Sequence, residues 1–188
     1  AVVMLLNIYL ANYIPRKGAK TGHVQDVGSG TVLPKKFAIP CLLLAVLFVF
    51  TGDGAIWAFL ERIGAAAGSR SLGGSLVSAS LIGGVFGSLA GGILGIRWGY
   101  VLPMIVSIAV SILSVLMFAT FKQPWVLILA AVINGFGWNF GIAYRMGLIA
   151  ELDVTGRYTV LVPSMQTLGN TIGPASAGLL IDMGGFNY

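Results

Sequence analysis

The stretch that decides the fold is residues 98–121, WGYVLPMIVSIAVSILSVLMFATF, which contains no charged side chain. A helix needs roughly 20 mostly apolar residues to cross the ~30 Å hydrocarbon layer of a bilayer, and this stretch is long enough. Similar runs recur along the chain and lack the ten-residue alternation of barrel strands, so helices are expected. The sequence predicts an all-α integral membrane protein with five complete spans, over residues 37–66, 71–96, 98–121, 123–145 and 158–181.

The composition of the whole chain supports a membrane protein. Of 188 residues, 57% are hydrophobic and only 9% are charged, whereas about 25% are charged in soluble domains. This excludes an ordinary soluble globule, and it excludes disorder, which requires low hydrophobicity. One cysteine and one histidine exclude an internal disulfide and make a Cys/His metal cage implausible. We expect no metal and no cofactor.

The two ends of the chain look abrupt. Residues 1–15 are uncharged up to Pro15 but short, and we interpret them as the end of a spanning helix that begins outside this chain. Residues 16–36 form a basic, glycine-rich connection, and residues 37–188 form a helix bundle. The chain is therefore interpreted as an internal piece of a larger membrane protein.

The basic residues predict an orientation. If the helices alternate sides, eight of the 11 Lys and Arg residues fall on the side of the 16–36 loop and three fall on the other. The positive-inside rule places the richer side in the cytoplasm of an inner or plasma membrane. The loop has a second interpretation as a regulatory or partner-binding segment. Nucleic acid is not an expected partner, because the bases do not form a patch on a soluble face.

Motifs for catalysis are missing from the sequence. There is no phosphate-binding G-x-x-x-x-G-K-[ST], no complete dinucleotide loop, no H-E-x-x-H and no G-x-S-x-G. Asp53 has no second acid within a span that could share its proton, as an aspartyl protease requires. An enzyme is therefore not expected.

Small residues mark the second complete span. They form two neighbouring rows along the helix, each with one small residue every four positions. The second row is Ser80, Gly84, Ser88 and Gly92. The first row is Gly83, Gly87, Gly91 and Gly95. Such ridges let helix backbones approach closely. They predict either static helix packing or a contact that re-forms between two states of a transporter. For Ser107, Ser111 and Ser114 in the next span, helix packing is favoured.

Four segments, in this order, carry a resemblance to a known family. Residues 92–100 (GILGIRWGY) resemble the loop signature of the major facilitator superfamily, with Gly92, Arg97 and Gly99 matching and Ile96 replacing the family's acid. Residues 55–64 (AIWAFLERIG), 151–157 (ELDVTGR) and 169–178 (GNTIGPASAG) are similar to other parts of the same fold. The resemblance implies helices six (partial) through eleven of a twelve-helix transporter. Its N-terminal six-helix half would be the partner that completes the cavity.

Polar residues within spans are costly unless they are buried in protein or wet. Asp53 is the only acid in the interior of a span and shares a helix face with Trp57. The resemblance places the first, fourth and fifth spans at the cavity. The candidate cavity residues are Trp57, Asn134, Trp138, Gln166 and Asn170. Asp53 is the candidate coupling residue.

A second set of candidates lies at the side of the basic loop. The resemblance assigns the signature turn to a gate, and Arg145, Glu151, Asp153 and Arg157 are expected to form ion pairs there. The candidate gate residues are Gly92, Arg97, Gly99, Arg145, Glu151 and Arg157.

The resulting expectation is a secondary active transporter that moves a small solute across the bilayer by alternating access, with proton coupling as one option. The aromatic, nearly uncharged cavity face favours an apolar or weakly charged solute. Two alternatives stay open. A channel would need a ring of pore residues from symmetric subunits, and a membrane-embedded regulator would use the basic loop without moving a solute.

Overall fold

The computed structural model describes residues 35–67, 70–153 and 155–184. The described part contains five α-helices and one short 3-10 helix, Thr159–Leu161. The α-helices are α1 (Lys35–Ala66), α2 (Arg70–Leu94), α3 (Val101–Thr120), α4 (Pro124–Leu152) and α5 (Val162–Gly184). The expected partial helix 1–15 and the loop up to residue 34 lie outside the described residues.

Four of these helices are long and apolar enough to cross a membrane: Ala38–Ala66, Ser71–Leu94, Val101–Thr120 and Pro124–Leu152. The prediction of an all-α membrane fold is confirmed. The fifth expected span corresponds to α5, which has 23 residues and is less apolar than the other four helices. Its polar side chains, Gln166 and Asn170 among them, account for the difference.

Two helix boundaries differ from the expected ones in an informative way. The fourth span is expected from the sequence to end at residue 145, the first charge, but α4 continues to Leu152 because no proline or capping residue interrupts it before Asp153. The second span is expected to reach residue 96, but α2 ends at Leu94. Gly95 follows with a φ of 51°, a left-handed conformation that ends helices and favours glycine.

The helices bury two apolar clusters, one toward each end of the bundle. Cluster A consists of Leu60, Leu72, Leu76, Ala79, Phe118, Leu127, Ala130 and Ala131. Cluster B consists of Ile39, Leu43, Val46, Phe50, Ile149 and Val162. Along α1 the interval between the clusters contains Asp53, and along α4 it contains residues 132–148. Asp53 of α1 and Asn134, Asn139 and Arg145 of α4 therefore lie between two apolar layers.

Helices α2 and α4 approach each other through glycines. A β-carbon added to Gly83 would collide with the backbone oxygen of Val132, and one added to Gly87 would collide with that of Phe136. Gly135 of α4 meets the backbone oxygen of Ser80 in the same way. These contacts leave no room for a side chain, so the two backbones touch directly.

The first glycine row does not act as a unit. Gly91 is only at ordinary contact distance from α4, with the Cβ of Ala143 3.7 Å from where its own Cβ would be. Gly95 lies beyond the end of α2 and has open space around it. The packing role expected for Gly95 is therefore replaced by a conformational one, at the turn that ends the helix.

The serines of α3 face α4. The Ser114 hydroxyl donates a hydrogen bond to the backbone oxygen of Ala130 (2.9 Å), and the Ser107 hydroxyl lies against Gly141. The Ser111 oxygen is 3.2 Å from the position of a β-carbon at Gly137. All three serines thus lie in the contact between α3 and α4.

Replacing Gly83 tests the α2–α4 contact. We expect Gly83→Ala to destabilise the protein by about 1–3 kcal/mol, because overpacking costs this much. Gly74→Ala is the matched control on the same helix. It has open space, and alanine favours a helix over glycine by up to about 1 kcal/mol. The measurement is the thermal unfolding midpoint of the purified protein in detergent, followed by tryptophan fluorescence. Equal midpoints for the two variants would contradict the described contact.

Candidate functional site

An aromatic contact joins α1 and α4 at the inner edge of cluster B, to which Phe50 belongs. The Trp138 ring lies edge-on to Phe50, with centroids 6.0 Å apart. The Trp57 ring is tilted against Trp138 at 6.2 Å. Phe50 and Trp57 are seven residues apart, about two helical turns, so both reach one side of α1. The structure thus brings the predicted pair Trp57 and Trp138 together.

A cleft of about 400 Å³ opens beside this aromatic contact, between α1, α2 and α4. We call it the aromatic cleft. Its lining residues are Trp57, Ser80, Leu81, Gly84, Val85, Ser88, Leu89, Trp138 and Asn139. Trp57 is 38% exposed, so the cleft has an accessible aromatic wall facing the hydroxyls of the second small-residue row.

A second cleft, of about 270 Å³, lies between α1, α3 and α4. Asp53 of α1 and Arg145 of α4 both line it, and Ser111 adds a hydroxyl from α3. We call it the charged cleft. The sequence places Arg145 at the end of its span, but the structure places it within α4, where it is only 6% exposed. It shares the interior of the bundle with Asp53, which is 8% exposed.

Several buried polar atoms of the described residues have no hydrogen-bond partner. They are Asp53 Oδ2, Asn134 Nδ2, Trp138 Nε1, Tyr144 Oη, Arg145 Nε and Gln166 Nε2. All belong to α1, α4 or α5. An unsatisfied polar group in an apolar interior is costly, and within a membrane such groups mark pathways for solutes or ions.

The other predicted cavity residues line neither cleft. Asn134 is buried within α4. Asn170 of α5 lies against Gly54 of α1, with its Oδ1 2.9 Å from where a β-carbon of Gly54 would be. Gln166 is half-buried one turn earlier on α5. The structure therefore places two residues of the predicted set at the aromatic cleft and the other three outside both clefts.

Sequence reasoning did not assign Ser80, Ser88 and Asn139 to a site. The two serines belong to the second small-residue row, and this row is the sequence pattern from which their place at a cleft could have been predicted. Asn139 points away from Asn134 on α4. It reaches the cleft with its amide nitrogen donating to the backbone oxygen of Gly135 at 3.2 Å.

The turn between α2 and α3 is built on two glycines. Gly95 and Gly99 have φ angles of 51° and 68°, which glycine adopts without steric cost. Tyr100 follows, and a hydrogen bond to Glu151 raises the pKa of its phenol to about 12, with burial and the negative charge of Glu151 adding to the effect. The turn is thereby linked to the end of α4. Gly92 and Arg97 are exposed.

The expected ion pairs at this end of the bundle do not form. Among the described residues, none joins Arg145, Glu151, Asp153 and Arg157 within 4 Å. Arg145 lies in the charged cleft, and Glu151 contacts Tyr100. For the two acids, Glu151 and Asp153, hydrogen bonds take the place of the ion pairs.

Asp153 organises the connection from α4 to α5. Its Oδ2 accepts hydrogen bonds from the backbone nitrogens of Tyr158 (2.6 Å) and Thr159 (2.7 Å). The hydroxyls of Thr155 and Thr159 donate to the same carboxylate. Burial acts to raise the pKa of Asp153, but these hydrogen bonds outweigh it and lower the pKa to about 2. The carboxylate is therefore ionised at neutral pH and fixes the start of the 3-10 helix.

Within the described ranges, no group of three His, Cys, Asp or Glu side chains is placed to hold a metal ion. The site consists of two clefts and the unpartnered polar groups beside them. A bundle of apolar helices with such an interior is that of a polytopic membrane protein.

Comparison with known families gives the particular family. Residues 42–188 match the model of the Major Facilitator Superfamily, and the chain belongs to this family of membrane transporters. The family that the sequence resembles is confirmed, and the placement of the chain at helices six to eleven stays a prediction. No curated protein and no solved structure matches the chain.

Replacing Asp153 tests its role in the connection. We expect Asp153→Asn to raise amide hydrogen exchange at Tyr158 and Thr159, because a neutral amide oxygen accepts their hydrogen bonds more weakly than a carboxylate does. Asp182→Asn is the control, since it removes the same charge from an exposed position of α5. In the unaltered protein the stabilisation is present above the ordinary pKa of 3.8 and is lost only as the pH falls through about 2. Protection corrected for intrinsic exchange rates should therefore persist from pH 7 to about 4. Loss of protection between pH 7 and 5 would contradict this assignment.

Proposed function

We propose that this protein is a secondary active transporter that moves a small solute by alternating access. The observation that carries the proposal is the set of unpartnered polar atoms on α1, α4 and α5 in the interior of a membrane bundle. Groups left without protein partners at this depth gain most from contact with a solute or with water in a pathway. A second helical half, as the family's fold implies, would complete the cavity.

The aromatic cleft is the proposed solute site. Trp57 and Trp138 supply its walls, and Asn139 and the serines of α2 supply hydrogen-bonding groups. Asn134, Gln166 and Asn170 are proposed to meet the solute in another state of the transport cycle, since two of them have unpartnered nitrogens. A solute between two aromatic rings and hydroxyls is weakly charged and partly apolar.

The proposed orientation places the 16–36 loop in the cytoplasm of an inner or plasma membrane. Arg145 no longer counts toward the loops, which leaves seven of the original eight basic residues on this side against three. The side of the 16–36 loop still has the larger number of basic residues, and the positive-inside rule depends on which side has more. In this orientation, the link from Tyr100 to Glu151 belongs to the cytoplasmic gate, with Arg97 and Arg157 exposed beside it.

Cysteine labelling tests alternating access without knowledge of the solute. Cys41 is the only cysteine in this sequence, so Cys41→Ala, together with replacement of any cysteine outside it, provides a background without thiols. In that background, Ser88→Cys places a thiol in the aromatic cleft, and Leu113→Cys places one on an exposed face of α3. A membrane-impermeant maleimide applied to oriented vesicles should label the cleft thiol from either side. The α3 thiol should react from neither side.

The alternatives predict different outcomes. A channel would also be labelled from both sides, but it would carry single-channel current in planar bilayers. The transporter would carry no such current. A regulator without a solute pathway would be labelled from one side at most. Labelling of Ser88→Cys from one side alone would therefore contradict the proposal.

Asp53 is the proposed proton-carrying group, because it is the one buried acid within the described spans. We expect Asp53→Asn to abolish the pH dependence of uptake in proteoliposomes. The test solute is the one that a radiolabelled panel of sugars, amino acids and organic acids identifies. Glu61→Gln, on an exposed position of the same helix, should leave the pH dependence unchanged. Unchanged pH dependence in Asp53→Asn would remove Asp53 from coupling.

A further inference from the structure

We propose that the charged cleft binds a small zwitterion, whose carboxylate pairs with Arg145 and whose ammonium group pairs with Asp53. This inference deepens the proposed transport function and rests on it. It assigns a ligand class to a cleft that is distinct from the aromatic one.

The two charges are buried but do not satisfy each other. Asp53 and Arg145 are 8% and 6% exposed, and both line the same cleft. Asp53 Oδ2 and Arg145 Nε have no hydrogen-bond partner, and no ion pair within 4 Å joins these two described residues. Two opposite charges held apart across one cleft are complementary to a molecule that carries both charges at its ends.

The net charge of the cleft selects against simple ions. The carboxylate and the guanidinium sum to zero, so a zwitterion leaves every charge paired. While Asp53 is ionised, an anion would neutralise Arg145 and leave Asp53 without a counter-charge, and a cation would do the reverse. Leaving one buried charge unpaired is strongly unfavourable.

The size and lining of the cleft limit the ligand. Its volume of about 270 Å³ is below the ~300–1,000 Å³ of pockets for drug-sized ligands. Apart from Asp53, Arg145 and Ser111, the walls are apolar side chains and Gly52. A β-carbon at Gly52 would meet nothing within 4 Å, so the space beside Asp53 is open. A short aliphatic amino acid with separated charges fits this shape.

The proposal also explains why the charges lie on different helices. Asp53 is on α1 and Arg145 is on α4, and these helices also meet through Trp138. A ligand that bridges both charges ties α1 to α4, and a bundle without the ligand lacks that link. A proton and an ammonium group compete for one carboxylate, so protonation of Asp53 and binding of the zwitterion exclude each other.

Binding of a matched ligand series tests the proposal. The probes are ω-amino acids from glycine to 6-aminohexanoate, with butyrate and butylamine as single-charge controls. They are titrated into the purified full-length protein in nanodiscs by calorimetry. At least one amino acid should bind at least tenfold more tightly than either control. Asp53→Asn and Arg145→Gln should each weaken that binding by at least about tenfold, as expected for a hydrogen bond to a charged group.

Two matched variants control for charge removal elsewhere. Glu61→Gln on α1 and Lys122→Gln between α3 and α4 are exposed and should change binding by less than about twofold. If a single-site variant fails to fold, the double variant Asp53→Arg with Arg145→Asp keeps both charges in the cleft and should still bind. Failure of every amino acid in the series to bind the unaltered protein would overturn the proposal. So would equal binding of butyrate or butylamine.

The labelling experiment separates the two proposals. If Ser88→Cys reacts from both sides but no ω-amino acid binds, the transporter stands and the zwitterion site is wrong. If an ω-amino acid binds with the expected dependence on Asp53 and Arg145 but labelling is one-sided, the site stands and transport is wrong.

Discussion

The backbones of α2 and α4 meet without side chains between them, and the rest of the bundle depends on this contact. In a bilayer the lipid tails are as apolar as the helices, so packing and hydrogen bonds, more than the hydrophobic effect, hold helices together. Gly83 and Gly87 from one side and Gly135 from the other remove the β-carbons that would separate them. The contact fixes the rotation of α4 about its axis, and that rotation turns Trp138 toward α1 and Asn139 toward α2.

The other helices pack around α4. Helix α3 contributes serines that fit against Gly137 and Gly141. Helix α1 meets α4 through rings and meets α5 through a second glycine contact, in which Gly173 touches the backbone oxygen of Thr51. Because α1 lies between α2 and α3 where it faces α4, it divides the space beside α4 into two clefts. The division puts Trp57 in one and Asp53 in the other, although they are only one turn apart.

The sequence predicted the helices and the apolar character of their environment, because scarcity of charge is a property of composition and needs no coordinates. It also predicted that Asp53 and Trp57 share a side of α1 and, through the family resemblance, that Trp57 and Trp138 belong to one cavity. It did not predict the depth of Arg145. The first charge does not mark the end of this helix, because a helix ends at a cap or a helix breaker, and none occurs before Asp153. The division into two clefts depends on how the helices cross, which no single-helix pattern contains.

The position of Arg145 has a physical consequence for the whole bundle. A cation within a span is costly unless it faces a partner or water. If one of two buried opposite charges is removed, the desolvation free energy of the other is no longer offset. Asp53 across the same cleft supplies the opposite charge, yet both groups retain unpartnered atoms. A purely structural pair would close to direct contact, since that arrangement recovers the most of its desolvation cost. Two charges that stay apart in an apolar interior are instead stabilised most by a third, bridging group, and the arrangement of α1 and α4 leaves the space for one.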